Sequence, residues 1–200
     1  RDRLTVERKG RADFVSEADR DAEKHIQRRL HALLPQAGWL LEESGRGGSQ
    51  SLRWIVDPLD GTTNFLHGIP HFAVSMALEE QGEILAGLVY QPLNGECFRA
   101  RRGGGAWLEN ERLSCSDQSD LADSVLATGV PHGGSEWHEQ FEQQLRLLRG
   151  EVAGIRRWGA AALDLAWVAA GRFDGFWESG LNPWDVAAGG LLIQEAGGAC

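Results

Sequence analysis

Cysteine is scarce in this 200-residue chain. Cys97, Cys115 and Cys200 form neither a CxxC pair nor a metal-ligand spacing. That excludes a disulfide framework and points to thiols kept in a reducing compartment. Long apolar runs are missing too: the strongest, from Val186 to Ile193, falls far short of the roughly 18 residues that suggest a membrane span. The polar start RDRLTVERKG lacks a signal peptide's apolar region. The expectation is a soluble, cytoplasmic protein. Basic residues are in deficit, 20 Lys and Arg against 29 Asp and Glu, for a net charge of −9. A broad basic face that holds nucleic acid by counterion release is therefore excluded, and a small anionic substrate needs a local cation.

What is present is an alternation of helix and strand signals. SEADRDAEKHIQRRLHALL opens with Ser-x-x-Asp at Ser16, places Ala18, Ala22, Ile26, Leu30 and Leu33 on one stripe, and is closed by Pro35. Two short strands follow, GWLL running into Glu42 and Glu43, and LRWIV ending at Asp57. From Phe72 to Leu113, β-rich runs broken by Gln-Gly, Asn-Gly and Gly-Gly-Gly predict an antiparallel meander of three or four strands. Further helices are expected after Ser135, from Ala160 to Ala170, and from near Asp185 to the Gly197-Gly198 stop, with FDGFWES as a strand between the last two. The whole reads as one domain over residues 1–200. The abrupt ends at Arg1 and Cys200 suggest truncation at both.

The chemistry concentrates in WIVDPLDGTTNF, Trp54 to Phe65. Taken singly, Asp57 and Asp60 read equally well as turn caps, and Glu42 and Glu43 as a solvated pair. In an alternating α and β layout, however, strand ends and helix starts collect at one edge of a sheet, so these four and Asp185 are candidates to converge. Like charges about 4 Å apart repel by roughly 4 kcal/mol per pair at an effective dielectric near 20. Neither DPLDGTTNF nor PWDVAAGG contains Arg or Lys. Hard divalent cations with oxygen ligands are the simplest compensation. Gly61, Thr62 and Thr63 offer amides and hydroxyls at a predicted helix start, a cradle for phosphate.

WIVDPLDGTTNF together with PWDVAAG, the upstream EES and DFVSEAD resembles the inositol monophosphatase family of Mg²⁺-dependent, Li⁺-sensitive phosphatases, in its bacterial form. The likeness runs through essentially the whole chain in the right order. It implies the layered αβαβα sandwich shared with fructose-1,6-bisphosphatases, Mg²⁺ as cofactor with two ions or three, and commonly a homodimer. By that resemblance Glu42, Asp57 and the Leu59 carbonyl hold one metal, and Asp57, Asp60 and Asp185 the second. Glu43 is an outer partner. Thr62 and Asp19 position the attacking water, while the Gly61 and Thr62 amides hold phosphate oxygens. Gly159, Ala161 and Glu178 meet the alcohol part of the substrate, and Lys9 and Asp13 help to recruit a third Mg²⁺. Ala160 stands where animal members carry threonine, so one polar contact to inositol is missing.

The implied activity is hydrolysis of a small phosphate monoester, inositol monophosphate first. Histidinol phosphate, a sugar bisphosphate and a 3′-phosphoadenosine nucleotide are rivals within the class, and a regulatory binding protein of the RNA and transcription machinery is a rival outside it. Other signals are set aside. His67 and His71 in HGIPH have zinc-helix spacing, but Gly68 and Pro70 interrupt the helix. RRGGGAW lacks a P-loop's GK[ST] and reads as a hairpin turn. Arg156 and Arg157 read by default as surface residues, with an interface or an anion contact as the alternative, and the eight tryptophans mostly as core.

Overall fold

The computed structural model describes residues 6–10, 13–131 and 135–200, with side chains from Glu17 onward. Two short strands, β1 (Val6–Gly10) and β2 (Asp13–Ser16), pair antiparallel and lead into α1 (Glu17–Leu33). Next come β3 (Gly38–Leu41), β4 (Gly45–Gly47), β5 (Leu52–Asp60) and the short helix α2 (Thr62–His67). The meander consists of β6 (Ala73–Glu80), β7 (Glu83–Gln91), β8 (Glu96–Arg101), β9 (Gly105–Leu108) and the two-residue β10 (Glu111–Arg112). It has five strands rather than the expected three or four, because the chain turns once more after β9. All belong to one eight-stranded sheet in the order β10-β9-β8-β7-β6-β5-β3-β4, in which only β3 and β5 run parallel.

A second, three-stranded parallel sheet has β11 (Val125–Thr128) between β12 (Gly154–Arg156) and β13 (Gly175–Trp177). A 3-10 turn (Leu121–Asp123) and the helices α3 (His138–Leu148), α4 (Ala161–Ala169) and α5 (Pro183–Glu195) complete the chain's described elements. Alternation along β3 and β5 divides the core between layers. Leu41 and Val56 face α1 with Leu30 and Ile26, whereas Leu40 and Ile55 join the larger cluster that α4 and α5 build. α1, the large sheet, the α4–α5 layer and the small sheet therefore stack in succession, as the expected α/β sandwich requires. Close approach depends on glycine at two points. A Cβ on Gly87 of β7 would lie 3.0 Å from the Ala188 Cα, and one on Gly189 would lie 2.5 Å from the Leu165 Cβ.

Two expectations are corrected. The buried face of α1 is Asp19–Glu23–Leu30 flanked by Ile26, while Leu33 is 75% exposed. The helix is rotated because both carboxylates have hydrogen-bond partners inside. β5 does not stop at Asp57. It continues to Asp60 across a bulge in which Asp57 pairs with Ser75 and Asp60 with Ala73, an extra residue that Pro58, lacking an N–H, accommodates. The tryptophans mostly follow expectation: Trp39, Trp54, Trp167 and Trp184 pack, partly buried, against the core clusters, and only Trp137 and Trp158 are exposed; an indole is too large and too polar at its N–H to vanish easily into a core.

Candidate active site

The bulge in β5 aims Asp57 and Asp60 into a cavity of about 610 Å³. Glu42, Leu59, Gly61, Thr62, Gly159, Ala161, Glu178 and Asp185 also line it. Residues separated by up to 143 positions in sequence thus share one wall. Asp19 lies behind that wall, fully buried, and its Oδ1 accepts a hydrogen bond from the Thr62 hydroxyl at 2.9 Å. The side chains of Lys9 and Asp13 lie outside the described residues.

Two helix starts meet at the cavity. α5 begins at Pro183, two residues earlier than expected, so Asp185 is its third residue rather than its first. Asp185 and Asn182 form a capping box: the Asp185 Oδ2 accepts from the Asn182 amide at 2.6 Å, and the Asn182 side chain accepts from the Asp185 amide. Ser75 of β6 ties this start to the sheet by donating to the Trp184 carbonyl at 3.0 Å. α4 has no cap of its own, because Ala160 has no side-chain acceptor. Asp60 supplies one from across the sheet, accepting from Ala161 at 3.1 Å, Ala162 at 2.8 Å and Leu163 at 3.4 Å. Backbone amides otherwise left open at a helix start thus bind a carboxylate 101 residues away.

Burial and like charge dominate the electrostatics of the site. Burial first, then Glu42 and Asp60, push the Asp57 carboxyl well above the usual carboxylate range. Burial, Asp185 and Asp164 do the same to Asp60, against the downward pull of the Ala162 and Leu163 amides. Asp185 is raised chiefly by burial. Burial, then Asp164 and Asp185, push Glu178 up to about 7. Arg157 is exposed, as expected, and it also lines the cavity. Among the described lining residues it is the one cation, and it draws Glu178 and Asp164 back down.

Among the described residues, no three Asp, Glu, His or Cys side chains converge tightly enough to form a ready-made metal cage. Asp60 and Asp185 are turned to the amides of α4 and α5 instead. The donor set nonetheless suits a hard cation. It consists of carboxylates and the Leu59 carbonyl, with no thiol or imidazole among the described lining residues.

Sequence reasoning missed several residues. Glu23, one helical turn beyond Asp19, is buried and accepts from the Glu43 amide at 2.8 Å, pinning the Glu42–Glu43 corner to α1. Asn64 is buried and its Nδ2 donates to the His71 and Trp158 carbonyls, both at 2.7 Å. Of the two histidines set aside, the His67 ring meets the Thr63 carbonyl, while His71 is buried against Asp164. The Asp19–Glu23 spacing on the edge of an apolar stripe was a usable signal, as was a lone acid inside AALDLAWVA.

The family model of the inositol monophosphatase family matches residues 1–200. The chain belongs to that family. It is 56% identical over 197 residues to the inositol-1-monophosphatase of Rhizobium meliloti, which covers 98% of this chain and 74% of that protein. It is 46% identical over 199 residues to the Nus factor SuhB of Escherichia coli K12, covering 98% and 74%. A crystal structure of the extragenic suppressor protein suhB from Bartonella henselae superposes with a TM-score of 0.94 at 55% identity, over 98% of this chain and 76% of that one. Membership places the chain among metal-dependent phosphatases of small phosphorylated substrates. Among the described residues no helix is long and apolar enough to cross a membrane.

Proposed function

We propose that this chain is a single catalytic unit that hydrolyses a small phosphate monoester, inositol monophosphate first, in a Mg²⁺-dependent reaction. The observation that carries the reading is the wall on which Glu42, Asp57, Asp60 and Asp185 stand with the Gly61 turn and the Thr62–Asp19 pair. Glu42, Asp57 and the Leu59 carbonyl would hold one ion, and Asp57, Asp60 and Asp185 a second, with Lys9 and Asp13 candidates for a third. Bound there, the ions supply neutralisation of the phosphate charge and acidify a water.

The remaining work falls to the chain itself. Thr62 has one hydroxyl proton and two acceptors in reach, the Asp19 carboxylate at 2.9 Å and the Leu59 carbonyl at 3.0 Å. When Leu59 is engaged elsewhere, the proton goes to Asp19, and the hydroxyl lone pairs face the cavity to orient the attacking water. Gly61 adopts φ 87° at the head of α2, which exposes its amide and that of Thr62 to phosphate oxygens. Phosphoryl transfer asks mainly for positioning and charge stabilisation, and these groups supply both. Glu178, Gly159 and Ala161 would face the alcohol. As a carboxylate, Glu178 would accept hydrogen bonds from substrate hydroxyls.

Turnover of inositol 1-phosphate, histidinol phosphate, fructose 1,6-bisphosphate and 3′-phosphoadenosine 5′-phosphate with Mg²⁺ tests the reading. Preference for the first is expected, together with inhibition by Li⁺; inactivity on all four overturns it. Similarity to the E. coli Nus factor SuhB favours a second role beside the transcription machinery. At −9 net charge that role runs through a protein partner rather than direct nucleic-acid contact. A cytoplasmic homodimer fits both readings.

A further inference from the structure

His71 and Asp164 form a buried pair that the reaction outlined above does not use. The His71 Nε2 stands 3.0 Å from the Asp164 Oδ1, and the two residues are 2% and 1% exposed. Asp164 is the one ionisable residue of α4 and sits in its first turn, where the helix start favours a negative charge. The imidazole is wedged between two indoles, 5.2 Å from the Trp158 ring and 5.0 Å, edge to face, from that of Trp167.

The surroundings of this pair are what give it a task. The His71 carbonyl, the Gly159 carbonyl and the Ala160 Cβ form the floor beneath Gly61: a Cβ added there would stand 3.1, 3.3 and 3.1 Å from them. Asn64 ties the His71 carbonyl to the Trp158 carbonyl from the same side. Three residues before Asp164, the amides that hold the Asp60 carboxylate begin. The His71–Asp164 bond therefore spans the junction between the Gly61 turn and the start of α4. We propose that His71 and Asp164 are positioning residues, a brace that holds the start of α4, whose amides grip the Asp60 carboxylate, against the floor of the Gly61 turn.

The proposal deepens the phosphatase reading and rests on it, so its test reads binding as well as turnover. Asp164→Asn keeps an oxygen for the His71 N–H and removes the charge. The double variant His71→Leu with Asp164→Ala removes both bond and charge with apolar groups of similar total size, a change that buried ion pairs often tolerate in stability. Each is measured for thermal unfolding, for Mn²⁺ binding by loss of the free-ion electron paramagnetic resonance signal, for calorimetric binding of inorganic phosphate with Mn²⁺ present, and for kcat/KM. Asp164→Asn is expected to stay within about threefold of the parent in binding and turnover. The double variant should unfold near the parent temperature, yet lose about tenfold or more in phosphate binding and kcat/KM, because small displacements of positioned groups are amplified in the reaction.

A double variant that is stable and binds and turns over like the parent overturns the proposal, as does an Asp164→Asn that loses as much as the double variant. Should the double variant fail to fold, Asp164→Ala alone decides: phosphate binding weakened about tenfold supports the brace, and unchanged binding overturns it. A parent protein that binds Mn²⁺ and phosphate but hydrolyses no monoester refutes the phosphatase reading and leaves the brace to be judged on binding.

Discussion

Glu178→Gln is the substitution whose consequence can be worked furthest from the structure. Burial, then the charges of Asp164 and Asp185, lift this carboxyl from 4.5 to about 7 in the folded chain. Unfolding returns it to its ordinary value, so between those two pH values the native state holds a proton that the unfolded state has lost. Stability associated with Glu178 is thus fully present below about pH 4.5 and declines as pH rises through 7. The interval is worth ~3 kcal/mol at about 1.4 kcal/mol per pH unit. Gln imitates the protonated side chain and cannot ionise. Denaturant unfolding of parent and variant in EDTA at pH 5, 6, 7 and 8 should show a variant more stable by ~1 kcal/mol at pH 5 and by ~3 kcal/mol at pH 8. Asp57, Asp60, Asp164 and Asp185 give both proteins a background slope of the same sign, so the difference between the two curves is the quantity to read. Parallel curves would refute the reasoning that burial and like charge hold Glu178 protonated.

Asp57→Asn should lower Mg²⁺-dependent turnover by at least about 10²-fold, and in EDTA it should raise the unfolding midpoint at pH 8, because it removes the charge that burial, Glu42 and Asp60 oppose. Retained activity would refute its metal role. Gly61→Ala must hold φ 87° and meet the His71 carbonyl at 3.1 Å; a loss of ~1–2 kcal/mol in denaturant unfolding is expected, with weaker inhibition by inorganic phosphate. Thr62→Val should lower kcat by about 10²-fold while Thr62→Ser stays within about tenfold. Equal losses would show that the hydroxyl shared by Asp19 and Leu59 is not the feature that matters.

Much of this site was legible because its chemistry is local in sequence. Asp57, Asp60, Gly61 and Thr62 lie within six positions, Glu42 and Asp185 were reachable as a strand end and a helix start, and the resemblance supplied Asp19. What stayed hidden depends on contacts that no spacing encodes. The Asp60 carboxylate caps α4 because Ala160 cannot, a relation spanning 101 residues. His71 and Asp164 are 93 residues apart, and neither sits in a pattern that names the other. The rotation of α1 was misjudged because an apolar stripe was sought, whereas the buried edge carries Asp19 and Glu23. Polar groups go inside when something there accepts or donates to them, and those partners are set by tertiary structure.

The same contacts explain how so many carboxylates share one wall and which of them most needs a cation. The α4 amides pull the Asp60 carboxyl down against its burial, and Asn182 does the same for Asp185. Asp57 accepts one amide bond, from Leu59 at 2.8 Å, and faces both Glu42 and Asp60. Burial and repulsion therefore remain less offset at Asp57 than at Asp60 or Asp185, beside the Glu42–Glu43 corner that Glu23 holds in place through the Glu43 amide. The first cation should settle there, and the second, by Asp60 and Asp185, should bind more weakly because it competes with helix-start amides for the same oxygens. Mn²⁺ titrations of Glu42→Gln and Asp185→Asn decide the order. Loss of the tighter phase in the first and of the weaker phase in the second is expected, and the reverse assignment would show that the amide bonds do not rank the sites.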